Sequence, residues 1–196
     1  MRIFLAGASG AIGQHLVPLL VGEGHDVAGM TRTPGKADWL RQVGAEPVVC
    51  DVFDRDALFE VVDRFDPDVV IHQLTDLPDD PAHILAHAAA NNRMRREGTT
   101  NLVDAAQACG VRVIAQSVAW LLPGDGGVAV QFHERTVLDA GGVVVRYGRF
   151  FGPGTYFEDE PPPVPRVHVA QAASRTLAAL DAPSGVIMIV EIPPSC

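Results

Sequence analysis

The sequence holds a single lysine, Lys36, two tyrosines and three cysteines, Cys50, Cys109 and Cys196, among its 196 residues. Each scarcity excludes something. Three thiols, odd in number and far apart, do not make a disulfide framework; they suit free cysteines in a reducing, cytoplasmic setting. No run approaches the roughly eighteen consecutive apolar residues that a membrane span needs. The opening stretch Met1 to Ala6 is too short for the core of a signal peptide. Positive charge is also short: 15 basic side chains face 24 acidic ones, a formal net charge of −9. Such a chain has no general pull on nucleic acid or anionic lipid, so neither is expected as a partner. Any phosphate it binds must be held by a local device.

Apolar residues, at 47%, are enough for a substantial core. They recur as short β-branched runs: Arg2 to Ala6, His25 to Thr31, Glu46 to Cys50, Asp68 to Gln73, Val111 to Ser117, Gly142 to Tyr147 and Val186 to Glu191. Helical periodicity fills the gaps at about 11–22, 35–43, 54–65, 82–108, 131–140 and 169–180, with a break expected near Asn91-Asn92. Strands that are apolar along their length and alternate with helices belong in a parallel sheet covered on both faces. Right-handed crossovers then dictate an α/β fold with a Rossmann-type doubly wound sheet. The expected organisation is a dinucleotide-binding domain over 1–147 and a short C-terminal extension over 148–196 packed on it. Residues 148–165, rich in proline, read as irregular, and Pro18 inside the first helix removes one backbone bond.

Gly7-Ala8-Ser9-Gly10-Ala11-Ile12-Gly13 is a G-x-x-G-x-x-G array that follows the first strand and opens the first amphipathic helix. Spacing alone is weak evidence; placement is what gives it meaning. Glycines let the backbone turn sharply and approach a pyrophosphate, while the helix N-terminus offers free N–H groups to the anion. The second strand ends in Met30-Thr31-Arg32-Thr33, with Lys36 four residues beyond Arg32 and no carboxylate for a ribose 2′-hydroxyl. A guanidinium suits a 2′-phosphate, so NADP(H) is the preferred cofactor, with NAD(H) as the alternative. Asp51 and Val52, after the third strand, stand where an adenine is bracketed.

With these motifs in order, the chain resembles the extended or atypical short-chain dehydrogenase/reductases of the NAD-dependent epimerase/dehydratase superfamily over about residues 1–155. The resemblance includes Asp68-Val69-Val70-Ile71-His72-Gln73-Leu74, which places Gln73 and Leu74 beside the cofactor, and Gly98-Thr99-Thr100-Asn101-Leu102. It continues through Val113 to Ala119, where Ser117 matches the catalytic serine or threonine, and through Val145-Arg146-Tyr147-Gly148 with Gly152-Pro153-Gly154. The family's acid–base pair is Tyr-x-x-x-Lys. Aligning Glu134 with the glutamate that follows this pair puts Gly126 and Val130 at the two catalytic positions, and the segment 121–130 reads as shortened. The C-terminal substrate portion is also reduced.

The remaining candidates for chemistry are Ser117 at a substrate oxygen, Tyr147 as a substitute proton donor, and His133, which titrates in the useful range. Arg146 suits an anionic substrate or a neighbouring carboxylate. His83 and His87 have i, i+4 spacing, but no metal site is expected. The resemblance implies an NADP(H)-dependent oxidoreductase or epimerase-like enzyme acting on a small carbonyl substrate. The alternatives are a non-redox isomerase, cyclase or dehydratase on the same scaffold, and a silent NADP(H)-sensing module. Alanine-rich stretches at 82–90 and 104–108 allow a homodimer.

Overall fold

A computed structural model describes residues 1–191, so Cys196 lies outside the described residues. Seven strands form one all-parallel sheet: β1 (Arg2–Ala6), β2 (Asp26–Thr31), β3 (Glu46–Val49), β4 (Val69–His72), β5 (Arg112–Val118), β6 (Val143–Tyr147) and β9 (Gly185–Ile189). Their spatial order is β3-β2-β1-β4-β5-β6-β9, so the sequence jumps from one side of β1 to the other after β3. That reversal opens a crevice at the carboxyl ends of β1 and β4, where open α/β sheets bind ligands.

Alternate residues along each strand feed two apolar layers. Ile3, Leu5, Val69 and Ile71 pack with Leu16 and Leu20 of α1 (Gly13–Gly22), Leu40 of α2 (Ala37–Gln42) and Ala172 and Ala173 of α7 (Val169–Thr176). Phe4, Ala6 and Val70 face the other way, against Leu58 and Val62 of α3 (Arg55–Phe65), Leu102 of α5 (Thr99–Ala108) and Val137 of α6 (Gly124–Asp139). Pro18 is tolerated because it sits on the exposed side of α1, as does Gln14, whose carbonyl it leaves without a donor and which water can serve.

Four expectations need correction. The helix expected at 131–140 starts at Gly124 and runs 16 residues. Pro123 ends the loop in an extended conformation, and Gly127 fits the first turn because a Cβ there would lie 2.2 Å from the Leu122 carbonyl oxygen. The segment 121–130 is therefore helical from Gly124 on. The long helix expected at 82–108 begins only at Ala88, after a turn at residues 84–87, so His83 and His87 do not share a helix face. There is no break at Asn91-Asn92: α4 (Ala88–Arg93) continues through a π-helical turn, Met94–Gly98, into α5. Finally, the irregular stretch after Gly148 contains β7 (Arg149–Phe151), which pairs in parallel with β8 (Arg166–His168).

Candidate functional site

The crevice is lined by Gly7, Ser9, Gly10, Met30, Thr31, Arg32, Thr33, Cys50, Asp51, Val52, Gln73, Leu74, Thr75 and Met94. Its floor is backbone. The amides of Gly7 and Ala8 both donate to the Met30 carbonyl at 3.2 Å, which locks the glycine turn to the end of β2. Gly7 adopts a φ of +89°, and a Cβ on it would sit 2.7 Å from the Gln73 carbonyl group; only glycine lets the turn lie against β4. Gly13 acts within the turn itself. Its missing Cβ would lie 2.4 Å from the carbonyl oxygens of Gly7 and Ala8, so it closes the turn upon itself. Gly10 is exposed and meets only the Gly7 oxygen at 3.3 Å. Helix α1 begins with no side-chain cap and no acid in its first turn, which leaves the positive end of its dipole open to an anion.

Nine of the fourteen residues expected at the cofactor line this crevice: Gly7, Ser9, Gly10, Thr31, Arg32, Asp51, Val52, Gln73 and Leu74. Ala8 and Ile12 are buried beneath the turn, Gly13 closes it, Ala11 faces solvent, and Lys36 stands exposed on the short Pro34–Lys36 turn away from the lining. Met30, Thr33, Cys50, Thr75 and Met94 were not foreseen; four of them lie within two residues of the end of a strand already assigned, which is where such a lining should have been sought. Ser9 and Thr31 share a hydroxyl contact of 2.9 Å across the mouth. Arg32 does not wait free for a phosphate: its Nη2 donates to Asp76 at 2.7 Å, and that bond, with the nearby charge of Asp51, raises its pKa. Cys50 is a buried thiol pushed up to about 11, mainly by burial, and is inert near neutrality.

Beside the crevice, joined to its lining by the Gln116 Nε2 bond to the Leu74 carbonyl at 3.1 Å, the end of the site around β5 and α6 is built from side chains. Ser117 Oγ donates to Glu134 at 2.6 Å, and Arg146 clasps the same carboxylate through Nε at 2.8 Å and Nη2 at 2.5 Å. Burial alone would raise the Glu134 carboxyl; the bonds from Arg146 and Ser117 outweigh it and hold the group below the usual carboxylate range. Of the two roles open to Arg146, the structure shows the neighbouring carboxylate.

His133 is buried, with both ring nitrogens engaged. Nε2 lies 2.8 Å from the Gln116 carbonyl, which can only accept, so that nitrogen carries the proton. Nδ1 must then accept from Thr99 Oγ1 at 2.6 Å. Thr99 in turn accepts from His72 Nε2 at 3.1 Å, and His72 Nδ1 accepts from the Leu74 amide at 3.2 Å. The chain of bonds assigns both tautomers and leaves both rings neutral. Burial lowers His133 to about 4 against the opposing Gln116 bond, and takes His72 well below its ordinary value.

Tyr147 is 2% exposed. Thr176 spends its hydroxyl proton on the Ala172 carbonyl at 2.7 Å, so the Tyr147 phenol donates to Thr176 Oγ1 at 2.6 Å. Gln73 Nε2 donates to the phenol at 3.4 Å, while its buried Oε1 has no partner among the described residues. Burial pushes the phenol up to about 12. Ser117, His133 and Tyr147, expected as a catalytic set, thus do not converge on one point. Each is tied into a different structural contact.

The family model described as the NAD dependent epimerase/dehydratase family matches residues 3–139. The chain belongs to this family. A curated relative from a Streptomyces species, 3-diazoavenalumate denitrifying reductase, is 38% identical over an alignment covering 79% of this chain and 58% of that protein. The chain therefore spans less than two thirds of that relative's length. Among solved structures, UDP-glucose 4-epimerase of Thermotoga maritima superposes with a TM-score of 0.79 at 19% identity, covering 97% of this chain and 77% of the other. The UDP-glucose 4-epimerase of Thermus thermophilus, solved with NAD, gives 0.78 at 18% identity over 97% and 78%. At such identities the two epimerases attest the fold. No helix among the described residues is long and apolar enough to cross a membrane.

Proposed function

We propose that the protein is a nicotinamide-dependent reductase whose acceptor takes up hydride without needing a proton from the enzyme. One observation carries this reading: among the described residues, no group at the β5–α6 end is poised to give a proton near neutrality. Aligned through Glu134, the family's acid–base positions fall on Gly126 and Val130 in this reading. The Tyr147 phenol is buried and committed to Thr176, His133 is neutral with both nitrogens engaged, and Ser117 gives its proton to Glu134. Carbonyl reduction leaves an alkoxide that must be protonated, which is the task of the Tyr-Lys pair in the family.

The crevice fits the dinucleotide: the glycine turn and uncapped α1 suit its diphosphate, Asp51 and Val52 its adenine, and Arg32 the adenosine ribose or a 2′-phosphate. When bound, a dihydronicotinamide supplies a hydride, and with an arene diazonium the balance is Ar–N2⁺ plus hydride giving Ar–H plus N2, with no proton consumed. That is the acceptor class suggested by the name of the Streptomyces relative. The chain's own contribution is to fix both partners against the sheet and to keep competing acids out. For the cofactor, we propose NADP(H) over NAD(H), by a margin limited because Asp76 already occupies one arm of Arg32.

The test incubates the purified protein with NADPH deuterated at C4 and a benzenediazonium salt, and in parallel with a panel of aldehydes and ketones. Deuterium should enter the arene at the former diazo carbon, faster than in a Gly10→Asp variant that measures the uncatalysed background. Reduction of the carbonyl panel with no acceleration of the diazonium reaction overturns the reading.

A further inference from the structure

Between α4, the π-helical turn and α6, two acids are already taken. Asp125 ion-pairs with Arg96 and accepts from Asn92 Nδ2 at 2.9 Å. Glu134 holds Arg146 and Ser117. Arg95, on the π-helical turn beside the Asn92 that serves Asp125, has no carboxylate of its own among the described residues. Its single hydrogen bond among the described residues is a long one, from Nη1 to Asn92 Oδ1 at 3.4 Å. The side chain is half-buried, and burial without a counter-ion draws its pKa down.

The same Asn92 Oδ1 borders the vacant place on α6, since a Cβ on Gly126 would approach it to 3.9 Å. Val130, one turn further along, is half-buried and uncharged. The two positions that would carry phenol and ammonium in the family are therefore apolar or empty, and a guanidinium stands one hydrogen bond from the emptied one. A partly desolvated cation without a counter-ion costs stability until an anion reaches it. Arginine cannot release a proton at physiological pH, so a role for this group is recognition rather than acid catalysis.

We propose that Arg95 is the specificity residue of the substrate site and takes a carboxylate on the substrate, which makes the substrate an aromatic or other small organic acid. A carboxylate is favoured because Asp125 and Glu134 are each matched by one arginine, leaving a single positive charge, and because the guanidinium fork pairs with two carboxylate oxygens at once. The proposal rests on the hydride-transfer reading for where the substrate sits, and on the local charges alone for what it carries.

The experiment is calorimetric titration of the full chain, with and without NADPH, using cinnamate, benzoate, their neutral amides and phenyl phosphate as probes. Cinnamate or benzoate should bind at least tenfold more tightly than its amide and more tightly than phenyl phosphate. Arg95→Gln should erase the preference for the acid, Arg95→Lys should restore part of it, and NADPH affinity should stay unchanged in both. No discrimination between acid and amide, no binding of any carboxylate, a preference for phenyl phosphate, or an acid preference that survives in a folded Arg95→Gln protein each overturns it. Loss of NADPH binding by the unsubstituted chain would sink the hydride reading while leaving the carboxylate result to stand or fall on its own.

Discussion

The β1–α1–β2 end of the crevice and the β5–α6 end share one sheet but are made of different material. The first is backbone: a glycine turn, two amides on the Met30 carbonyl, an uncapped helix. The second is side chain: Ser117, Glu134, Arg146, His72, Thr99 and His133, tied together in pairs and chains. Backbone geometry persists through changes in sequence provided the glycines remain, whereas acid–base chemistry disappears with two substitutions. On the proposed function, the chain keeps the binding end and does without the proton-transfer pair.

The largest effect on binding tests the backbone end. Gly10 is exposed and a Cβ there would crowd only the Gly7 carbonyl oxygen, at 3.3 Å, so Gly10→Asp should fold with a small local shift and place a carboxylate against the diphosphate. Loss of nicotinamide nucleotide affinity by about a hundredfold, ~2.7 kcal/mol, is expected in a fluorescence titration. Unchanged affinity would mean that the two ends do not differ in the way argued here. At the side-chain end, Arg146→Ala leaves Glu134 nearly buried with Ser117 as its only donor. Removing one partner of a buried ion pair costs about 3–5 kcal/mol, and the partial exposure of Arg146 argues for the lower end, about 3. Urea denaturation measures it.

Acid should act on the same end. His133 has its folded pKa lowered to about 4 and His72 lies well below its ordinary value, so in the folded state both bind fewer protons than in the unfolded chain. Stability is therefore full above about pH 6.5 and falls as the pH drops toward 4, by a few kcal/mol in total. Thr99→Val, which cuts the bond between the rings, should lower stability at pH 7.5. A denaturation midpoint that stays flat from pH 7 to pH 4.5 would show that the rings are not held neutral.

How far each end could be read from the sequence follows from the same contrast. The order of β1, the glycine turn and α1 is a local pattern, in which Ile12, Leu16 and Leu20 fix the buried face and the glycines fix the turn, and it was legible. The start of α6 was not, because Pro123, Gly124, Gly126 and Gly127 read as a loop; only the fit of Gly127 against Leu122 and the burial of Ala129 make a helix of them. The His72–Thr99–His133 chain joins residues 27 and 34 positions apart, and no spacing rule connects them. Tyr147 lies on a strand whose apolar neighbours promised burial, yet its phenolic partner comes from α7, 29 residues later. Side-chain chemistry depends on such long-range meetings, and sequence alone locates the positions without assigning their partners.

A smaller effect probes Arg32. Asp76→Asn removes the carboxylate that competes for its guanidinium, so the ratio of NADP(H) to NAD(H) affinity should rise about threefold, ~0.6 kcal/mol. Arg32→Ala should reverse the preference. An identical ratio in all three proteins would assign Arg32 to the Asp76 contact alone.

The smallest effect on turnover is the most discriminating. Tyr147→Phe removes a phenol that donates to Thr176 and accepts from Gln73, both within the protein interior. Thr176 keeps its own bond to the Ala172 carbonyl, so the loss should be about 1 kcal/mol of stability, the net worth of an ordinary buried hydrogen bond. If the phenol is only a packing and positioning group, kcat for the hydride step should change by less than about twofold, since a donor in general acid catalysis contributes about a hundredfold or more. A kcat reduced by a hundredfold with stability intact would make Tyr147 the proton donor after all. It would mean that the side-chain end can free this phenol, with its pKa of about 12, to meet a substrate, and that the line drawn between the two ends is in the wrong place.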